Sequence, residues 1–501
     1  MRDVIVVGGG PVGLWTAGEL ARRRLSVTLI ERLDQVSPHS KALTVHPRTL
    51  ELLAQRALIE EPAADGIPIT SAHFAQLVNR TDLGVLDTPY PYTLMYSQED
   101  VELLLERAAR ALGVDIRRGH EVTEVADRGD SVTVTVRAPG SGAAGPLEPA
   151  HTLECRYIVG ADGARSTVRA AAGIAFDGAR SPGLGTLADV RLDAPPARGA
   201  LSRYTEDGGI NIVPLNKGGL HRIVVGAGAP ALAGVPEPTF AMFREAVRRI
   251  AGTDFGMRDP VWFSSFGNSA RLAATYRKGR ILLAGDAAHI HSPSGGVGMN
   301  VGLQDAGNLA WRLADVLTGY ADDSALDDYH AERHPVGVAL LRDTKAQFAL
   351  RRFDREGLAL RTFLDGLIGS VPAFSRALAE RIAGFAVRYP AWGAHPLCGT
   401  RAPDVPLKDT TLFPALTGAS PLLLLRAEAP PALREATAER AIEVHTLAPD
   451  PLRPEWNEVT AALVRPDGFL HWASAEPDPG ALAAEALTAL SSLRTLPGAR
   501  A

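Results

Sequence analysis

Residues 4–20 read VIVVGGGPVGLWTAGEL and run directly from a short apolar segment into closely spaced glycines. The apolar segment has the pattern of a buried parallel strand, and Gly8, Gly10 and Gly13 match the spacing G-x-G-x-x-G. In this pattern the first glycine allows a tight turn, the second lets the backbone approach a pyrophosphate, and the third lets the following helix pack against the strand. Because the first N–H groups of that helix favour phosphate, the stretch predicts a dinucleotide site.

An acidic residue follows at the position where such sites need one. Residues 27–30 predict a second strand, which ends at Glu31, and a carboxylate there accepts hydrogen bonds from a ribose diol. Glu31 favours an unphosphorylated ribose, as in FAD or NAD, over that of NADP. A glycine-rich turn without a ligand would account for the glycines alone, but not for strand, helix and acid together.

Two later stretches each place a glycine and an aspartate at the end of a predicted strand. The first, residues 157–169, reads YIVGADGARSTVR, and the second, residues 281–311, reads ILLAGDAAHIHSPSGGVGMNVGLQDAGNLAW. Asp286 is a candidate acceptor for a ribityl chain, and Gly296 and Gly298 would let backbone N–H groups line a flat ring. A helix N-terminus there would favour the negative charge of a reduced flavin. Asp162 and Asp286 are also common turn formers, and that alternative stays open for each of them.

Together the three stretches resemble the group A flavoprotein monooxygenases, which have the para-hydroxybenzoate hydroxylase fold. The resemblance is greatest to their phenol-hydroxylase-like branch, which hydroxylates aromatic polyketides. Two residues depart from the family pattern: Lys41 replaces the usual arginine and Val297 replaces a common glutamine. The residues that pattern and resemblance together predict to bind FAD are Gly8, Gly10, Pro11, Val12, Gly13, Glu31, Arg32, Lys41, Gln98, Val122, Asp162, Gly285, Asp286, Pro293, Gly296, Gly298, Met299 and Asn300.

The resemblance implies an α/β fold with three parts. A Rossmann-like FAD-binding domain is expected to be discontinuous and to comprise residues 1–66, 97–182 and 271–388. A β-sheet substrate-binding domain is expected at residues 67–96 and 183–270, and a thioredoxin-like C-terminal domain at residues 395–501. The last has no pair of redox cysteines, so we assign it to structure or oligomerisation. Residues 137–151, rich in Gly, Ala and Pro, predict a surface loop.

The activity implied by the resemblance is an FAD-dependent monooxygenase reaction that consumes NADPH or NADH. An aromatic, polyketide-like or antibiotic-like substrate would be hydroxylated through a C4a-hydroperoxyflavin. Baeyer–Villiger oxygenation on the same scaffold and a non-catalytic role in sequestering an intermediate stay open, whereas the W-x-W-x-I-P motif of flavin halogenases is absent from the sequence. No catalytic side chain is predicted. Six residues are candidates for the substrate pocket, and for each of them ordinary packing or a surface position is the more frequent role. They are Tyr92, Tyr96, Tyr204, Asn211, His221 and Arg222.

Composition narrows the remaining classes of function. A net charge of −5 without a basic run argues against nucleic acid, and no apolar stretch is long enough to cross a bilayer. Cys155 and Cys398 do not form a disulfide framework, and His289 and His291 lack the further ligands of a metal site. The chain enters its first strand at once, which leaves no room for a signal peptide. We therefore expect a cytoplasmic enzyme with a small aromatic or polycyclic substrate, O2 and NAD(P)H as partners, and a homodimer as the candidate oligomer.

Overall fold

The computed structural model describes residues 1–138, 150–179, 184–197, 200–215, 218–226, 238–267, 269–351, 354–390, 392–440 and 442–493. The surface loop predicted for residues 137–151 therefore lies largely outside the described residues. Within them, no helix is both long and apolar enough to cross a membrane.

The strands are numbered in chain order. They are β1 (Arg2–Val7), β2 (Val27–Glu31), β3 (Thr44–Val45), β4 (Ile67–Ile69), β5 (Ser71–Ala72), β6 (Thr81–Asp82), β7 (Thr93–Met95), β8 (Asp115–Arg118), β9 (Glu121–Asp127), β10 (Val132–Arg137), β11 (His151–Gly160), β12 (Phe176–Ala179), β13 (Leu184–Arg191), β14 (Leu201–Thr205), β15 (Gly208–Pro214), β16 (Leu220–Val225), β17 (Arg258–Gly267), β18 (Ala270–Ala273), β19 (Arg277–Lys278), β20 (Ile281–Leu283), β21 (His289–Ile290), β22 (Leu422–Leu425), β23 (Glu443–Thr446), β24 (Ala461–Val464) and β25 (Leu470–Ser474).

The helices are numbered in the same way. They are α1 (Pro11–Arg22), α2 (Pro47–Ala54), α3 (Glu60–Asp65), α4 (Gln98–Ala111), α5 (Thr167–Ala171), α6 (Phe240–Ala251), α7 (Gly298–Leu317), α8 (Asp327–Ala349), α9 (Arg355–Ser370), α10 (Pro372–Ala383), α11 (Leu412–Ala415), α12 (Pro431–Ala438), α13 (Pro454–Asn457) and α14 (Pro479–Ser492).

The largest sheet brings the three sequence motifs to one edge. Its strand order is β19-β20-β11-β1-β2-β8, and β9 and β10 form an antiparallel extension that pairs with β11. Strands β20, β11, β1, β2 and β8 run parallel, with Val7 opposite Gly160 and Gly160 opposite Leu283. Ligands of open parallel sheets bind beyond the carboxyl ends of the strands. The pairing therefore places the three motif loops side by side at the edge where a ligand is expected.

A second, antiparallel sheet has the strand order β14-β15-β16-β13-β17. One face is covered by α6, whose Phe243 is fully buried among Ile210, Ile212 and Ile223. The sequence pattern predicts this helix from Pro238, but it begins at Phe240, because the side chain of Thr239 accepts a hydrogen bond from the Met242 N–H as the N-cap.

The C-terminal part of the chain forms a four-stranded sheet with the order β23-β22-β24-β25, and α12 and α14 pack together beside it. Buried arginines of the first part of the chain hold this unit in place. Arg56 donates hydrogen bonds to the carbonyl oxygens of Leu416 (2.8 Å) and Pro466 (2.7 Å) while it pairs with Glu19. Because a buried guanidinium needs partners for all its donors, these contacts hold loops of the C-terminal unit against the N-terminal part of the chain.

The pattern of residues 316–387 predicts helices whose arginines lie on solvated faces. Two of these arginines, Arg333 on α8 and Arg361 on α9, are instead buried. Each is engaged by groups distant in sequence: Arg333 by a carboxylate on α7 and Arg361 by carbonyl groups near residue 75. Helical periodicity identifies apolar faces, but it does not reveal which charged residues have such partners.

Candidate active site

The three motif loops approach one another so closely that only glycine fits at the points of contact. A Cβ at Gly8, whose φ is +110°, would lie 2.3 Å from the carbonyl oxygen of Ala161 in the second motif. A Cβ at Gly285, whose φ is +61°, would lie 2.9 Å from the side chain of Val12. Both φ values also favour glycine. The loops after β1, β11 and β20 therefore form one continuous surface.

The glycines at the start of α1 serve different purposes. A Cβ at Gly13 would lie 1.9 Å from the carbonyl oxygen of Gly8, so this glycine lets α1 pack against the loop. A Cβ at Gly10 would meet nothing within 4 Å, and the extended φ and ψ of Gly10 (−77° and 178°) suit any residue. Nothing in the described protein requires glycine at position 10, whereas a ligand approaching the N-terminus of α1 would.

Glu31 is held beside this loop at the end of β2. One carboxylate oxygen accepts a hydrogen bond from the Gly9 N–H (2.5 Å) and the other from the Leu33 N–H (2.8 Å). The next residue, Arg32, is exposed. The carboxylate is thus fixed at the tip of the strand by backbone donors, which is the geometry that a ribose-binding acid needs.

Asp162 in the second motif has one satisfied and one unsatisfied oxygen. Its Oδ2 accepts hydrogen bonds from the N–H groups of Thr167 (2.7 Å) and Val168 (3.2 Å) at the start of α5. Its Oδ1 is buried and has no partner among the described residues. Burial raises the pKa of Asp162, although these hydrogen bonds oppose the shift. A buried acceptor without a donor indicates a missing ligand or water.

The third motif is supported by a buried ionic network. Asp305 on α7 accepts hydrogen bonds from the His289 ring (2.6 Å) and the Gly285 N–H (3.3 Å), and Arg333 donates to its other oxygen (2.7 Å). Burial raises the pKa of Asp305, but Arg333 and His289 outweigh that effect, and the pKa lies below its usual value. This network fixes the loop that carries Asp286, whose own side chain is exposed.

The glycine-rich loop that follows Pro293 is tied to β3 by Asn300. The carboxamide of Asn300 donates hydrogen bonds to the carbonyl oxygens of Thr44 (2.9 Å) and Gly296 (3.0 Å), and its oxygen accepts one from the His46 N–H (2.8 Å). Both ends of the side chain are therefore used within the protein, which leaves the backbone of Asn300 for any contact with a ligand. Met299, next in the predicted set, packs against the main hydrophobic core.

Gln98 is the first residue of α4, Val122 lies near the start of β9, and Lys41 lies on the surface. The side chain of Gln98 accepts a hydrogen bond from the Ala42 N–H (3.1 Å) and donates one to Glu102 (2.7 Å). Burial raises the pKa of Glu102 to about 7, although the Gln98 hydrogen bond opposes the shift. Val122 is buried in β9, and the side chain of Lys41 is exposed.

Comparison with known proteins identifies the family. Residues 1–344 match the family model of an FAD binding domain. The chain belongs to this FAD-binding family. Residues 395–492 match a second family model, the C-terminal region of aromatic-ring hydroxylases. These two matches confirm the resemblance proposed from the motifs.

Relatives of this flavoprotein span nearly its whole length. It is 42% identical to an uncharacterized aromatic compound monooxygenase, YhjG, of Bacillus subtilis (strain 168), over 94% of each chain. It is 38% identical to the 12-dehydrotetracycline 5-monooxygenase/anhydrotetracycline 6-monooxygenase of Streptomyces rimosus, over 94% of this chain and 95% of the relative. The solved structure of OxyS anhydrotetracycline hydroxylase from Streptomyces rimosus superposes with a TM-score of 0.85 at 36% identity, covering 97% of this chain and 98% of that one. The chain is thus an FAD-dependent monooxygenase with a mixed α/β fold.

The pocket candidates of this monooxygenase are in different environments. Arg222 is buried and pairs through two hydrogen bonds of 2.7 Å with Asp189, and its guanidinium lies 4.8 Å from the Trp262 ring. Tyr96 lies in the main core, and its hydroxyl donates to Glu61 (3.3 Å). Arg222 and Tyr96 are therefore engaged within the protein.

The other four candidates differ in whether their polar atoms have partners within the protein. Tyr92 also packs against the main core, and Asn211 accepts a hydrogen bond from Ser202 (2.8 Å). His221 lies on β16 with a buried Nδ1 that has no partner in the described parts of the chain. Tyr204 lies under the guanidinium of Arg361, 3.7 Å from it.

A group of polar residues near Tyr204 was missed by sequence reasoning. His73 and Gln76 lie in the segment between β5 and β6, and Arg351 and Arg361 belong to the region of α8 and α9. Arg351 donates a hydrogen bond to Ser294 of the glycine-rich loop (3.2 Å). Burial lowers the pKa of His73 to about 4, which keeps its imidazole neutral. No motif in the sequence connects these segments, because they are far apart along the chain.

Proposed function

We propose that this enzyme hydroxylates an electron-rich ring of an aromatic, polyketide-like substrate with electrons from NADPH or NADH. The observation that carries the proposal is the convergence of three glycine-lined loops at one edge of the parallel sheet. Its near full-length similarity to a monooxygenase named for 12-dehydrotetracycline and anhydrotetracycline supports the substrate class. The sequence-based domain boundaries, the thioredoxin-like character of the C-terminal unit and a homodimer remain parts of this proposal.

The residues present fit FAD. In the proposal, the N-terminus of α1 with Gly10 receives the pyrophosphate, and Glu31 accepts hydrogen bonds from the adenosine ribose. The unsatisfied Oδ1 of Asp162 and the exposed carboxylate of Asp286 accept from hydroxyl groups of the cofactor. When bound, FAD supplies the electron transfer and the activation of oxygen.

The protein's own contribution is to position the cofactor and the substrate and to exclude water from them. The N-terminus of α7 favours negative charge in front of the glycine-rich loop, and the Asp305–Arg333 network keeps that loop in place. The second, antiparallel sheet contacts the segment before β3 through Arg222, which donates a hydrogen bond to the carbonyl oxygen of Lys41 (3.4 Å). Fixed donors in a site without water stabilise charge that develops during reaction.

The test uses the purified protein with NADPH or NADH and anhydrotetracycline. We expect yellow protein, faster oxidation of the reductant when the aromatic compound is added, and a product that gains one oxygen atom on the ring. Assays without the aromatic compound measure the uncoupled oxidation. A lactone or ring-opened product would instead indicate Baeyer–Villiger oxygenation. Tight binding without oxidation of NADPH or NADH would indicate a sequestering role.

A further inference from the structure

The segment between β5 and β6 contains two consecutive residues in a conformation that disfavours side chains. Ala75 and Gln76 have φ values of +50° and +58°, and both are buried. Non-glycine residues in this left-handed region are strained, and such strain persists where the surrounding structure imposes it, often at ligand sites. Neighbouring groups must therefore hold the turn in this conformation, and a ligand contact would explain why the strain is retained.

The physical cause is a clamp of side chains from α8 and α9. The guanidinium of Arg361 donates hydrogen bonds to the carbonyl oxygens of Ala75 (2.9 Å) and Gln76 (3.0 Å). From α8, the side-chain oxygen of Gln347 accepts one from the Ala75 N–H (3.2 Å). These three bonds hold the peptide groups of the turn in the strained conformation and leave the Gln76 side chain as the group that the turn presents.

The oxygen of the Gln76 side chain has no hydrogen-bond donor in the described protein. The Oε1 of Gln76 is buried and accepts no hydrogen bond from the described residues. It lies over Gly209 of the middle sheet, where a Cβ would be 2.8 Å away. A buried carbonyl oxygen without a donor is unfavourable in the free protein, so a donor from outside the protein is the simplest reason for its presence.

The turn also lies next to the glycine-rich loop that follows Pro293. The Gln347 carboxamide that binds Ala75 lies 3.6 Å from where a Cβ of Gly295 would be. Arg351, just past the end of α8, donates a hydrogen bond to Ser294. The turn thus borders the glycine-rich loop that the proposed function places against the flavin ring.

From this geometry we propose that Gln76 is a specificity-determining residue, whose Oε1 accepts a hydrogen bond from a hydroxyl group on the aromatic substrate. Arg361 and Gln347 are positioning residues that act through the turn. The inference rests on the proposed function, because it assigns a substrate contact to that same site. Two positive guanidinium groups nearby, Arg351 and Arg361, favour a ring whose oxygens are electron-rich.

The test compares two probes of the same ring size, 2,6-dihydroxyanthraquinone, whose hydroxyl groups have no internal acceptor, and anthraquinone, by titration into the FAD-loaded protein. The dissociation constant is read from the change in flavin absorbance. Wild-type protein is expected to bind the dihydroxy probe about tenfold more tightly, since one hydrogen bond to a buried acceptor distinguishes the probes. In Gln76→Met, which removes the amide at similar volume, the ratio of the two constants is expected to fall to about one.

Gln55→Met is the matched control. Gln55 also has a buried carboxamide without described partners, but it is fully enclosed (0% exposed against 5% for Gln76) and lies beside Gly468 of the C-terminal unit. We expect this variant to keep the wild-type ratio. Arg361→Lys, which cannot reproduce the two-carbonyl clamp, is expected to lower the ratio without weakening the binding of anthraquinone.

Three outcomes would overturn the inference: no discrimination between the probes by the wild-type protein, an unchanged ratio in Gln76→Met, or an equal fall in Gln55→Met. A fall in the affinity for both probes together with a lower melting temperature in Gln76→Met would also overturn it, since that indicates a structural role. Failure of the proposed function is separate, because it appears as wild-type protein that does not oxidise NADPH or NADH faster with any aromatic compound.

Discussion

Replacing Gly10 by alanine tests whether the open space beside this residue belongs to the cofactor. A Cβ there would meet no described atom within 4 Å, and the backbone conformation suits alanine. A less flexible unfolded chain stabilises the variant by about 0.4–1 kcal/mol. The poorer N-cap of α1 destabilises it by a similar amount, about 0.5–1 kcal/mol. We therefore expect the free energy of unfolding of the apoprotein to change by less than about 1 kcal/mol.

FAD binding is expected to respond differently. If a pyrophosphate approaches the backbone of Gly10, the added methyl group occupies the space that the phosphates need. We expect the dissociation constant of FAD to rise at least about tenfold, which corresponds to about 1.4 kcal/mol. The measurement is a titration of apoprotein with FAD by flavin fluorescence, together with thermal unfolding of the apoprotein by circular dichroism.

Gly18→Ala is the control on the same helix. A Cβ at Gly18 also meets nothing within 4 Å, but it lies in the interior of α1, where alanine is better than glycine by about 0.5–1 kcal/mol. This variant is expected to bind FAD as the wild type does. An unchanged FAD affinity in Gly10→Ala, or an equal loss in both variants, would refute the assignment. A much lower melting temperature of the Gly10→Ala apoprotein would refute the premise that the space is open.

Three further predictions concern stability and reactivity. Arg333→Met leaves the Asp305 carboxylate buried with too few partners and is expected to lower the free energy of unfolding by about 3–5 kcal/mol. The control Arg342→Met, at an exposed site on α8, should lower it by less than about 0.5 kcal/mol. Urea denaturation measures both changes. Burial raises the pKa of Glu102 to about 7, so the stability contributed by the protonated carboxyl is lost as the pH rises from the unfolded-state pKa near 4.5 through 7. Over this pH range the melting temperature of Glu102→Gln should therefore rise relative to that of the wild type. A difference in melting temperature that does not change with pH would contradict the prediction. Burial raises the pKa of Cys155 to about 12, so iodoacetamide should label this thiol only after unfolding, as peptide mass spectrometry would detect.

The parts of the fold that could be predicted from sequence are those with local signatures. A buried parallel strand followed by spaced glycines is visible in consecutive residues, and β1, β11 and β20 lie where the patterns predict them. The convergence of their loops follows from the physics of parallel sheets rather than from any one motif. This is why the cofactor could be identified before its site could be described.

The hydrogen-bond partners of single side chains could not be predicted from the sequence. Asn300 belongs to the motif, but its carboxamide is consumed by Thr44, Gly296 and His46, which a sequence match does not reveal. Tyr96 is a pocket candidate set against ordinary packing, and its place in the core agrees with the packing alternative. Such outcomes depend on partners that are distant in sequence, and hydrogen-bond geometry is not encoded in residue type.

Two buried acceptors would be prepared in advance for the ligands that we propose. The Oδ1 of Asp162 is held by the start of α5, and the Oε1 of Gln76 is held by a strained turn, and neither has a partner in the described chain. The loss of hydration at these atoms has already occurred in the folded protein, so a ligand that donates to them does not bear that loss on binding. Their positions are fixed by neighbouring backbone and guanidinium groups, so little conformational freedom is lost either. Under the proposed assignments, in which Asp162 contacts the cofactor and Gln76 the substrate, the free energy that destabilises the unliganded protein at these two atoms is recovered on binding, and ligands with hydroxyl groups are favoured over those without them.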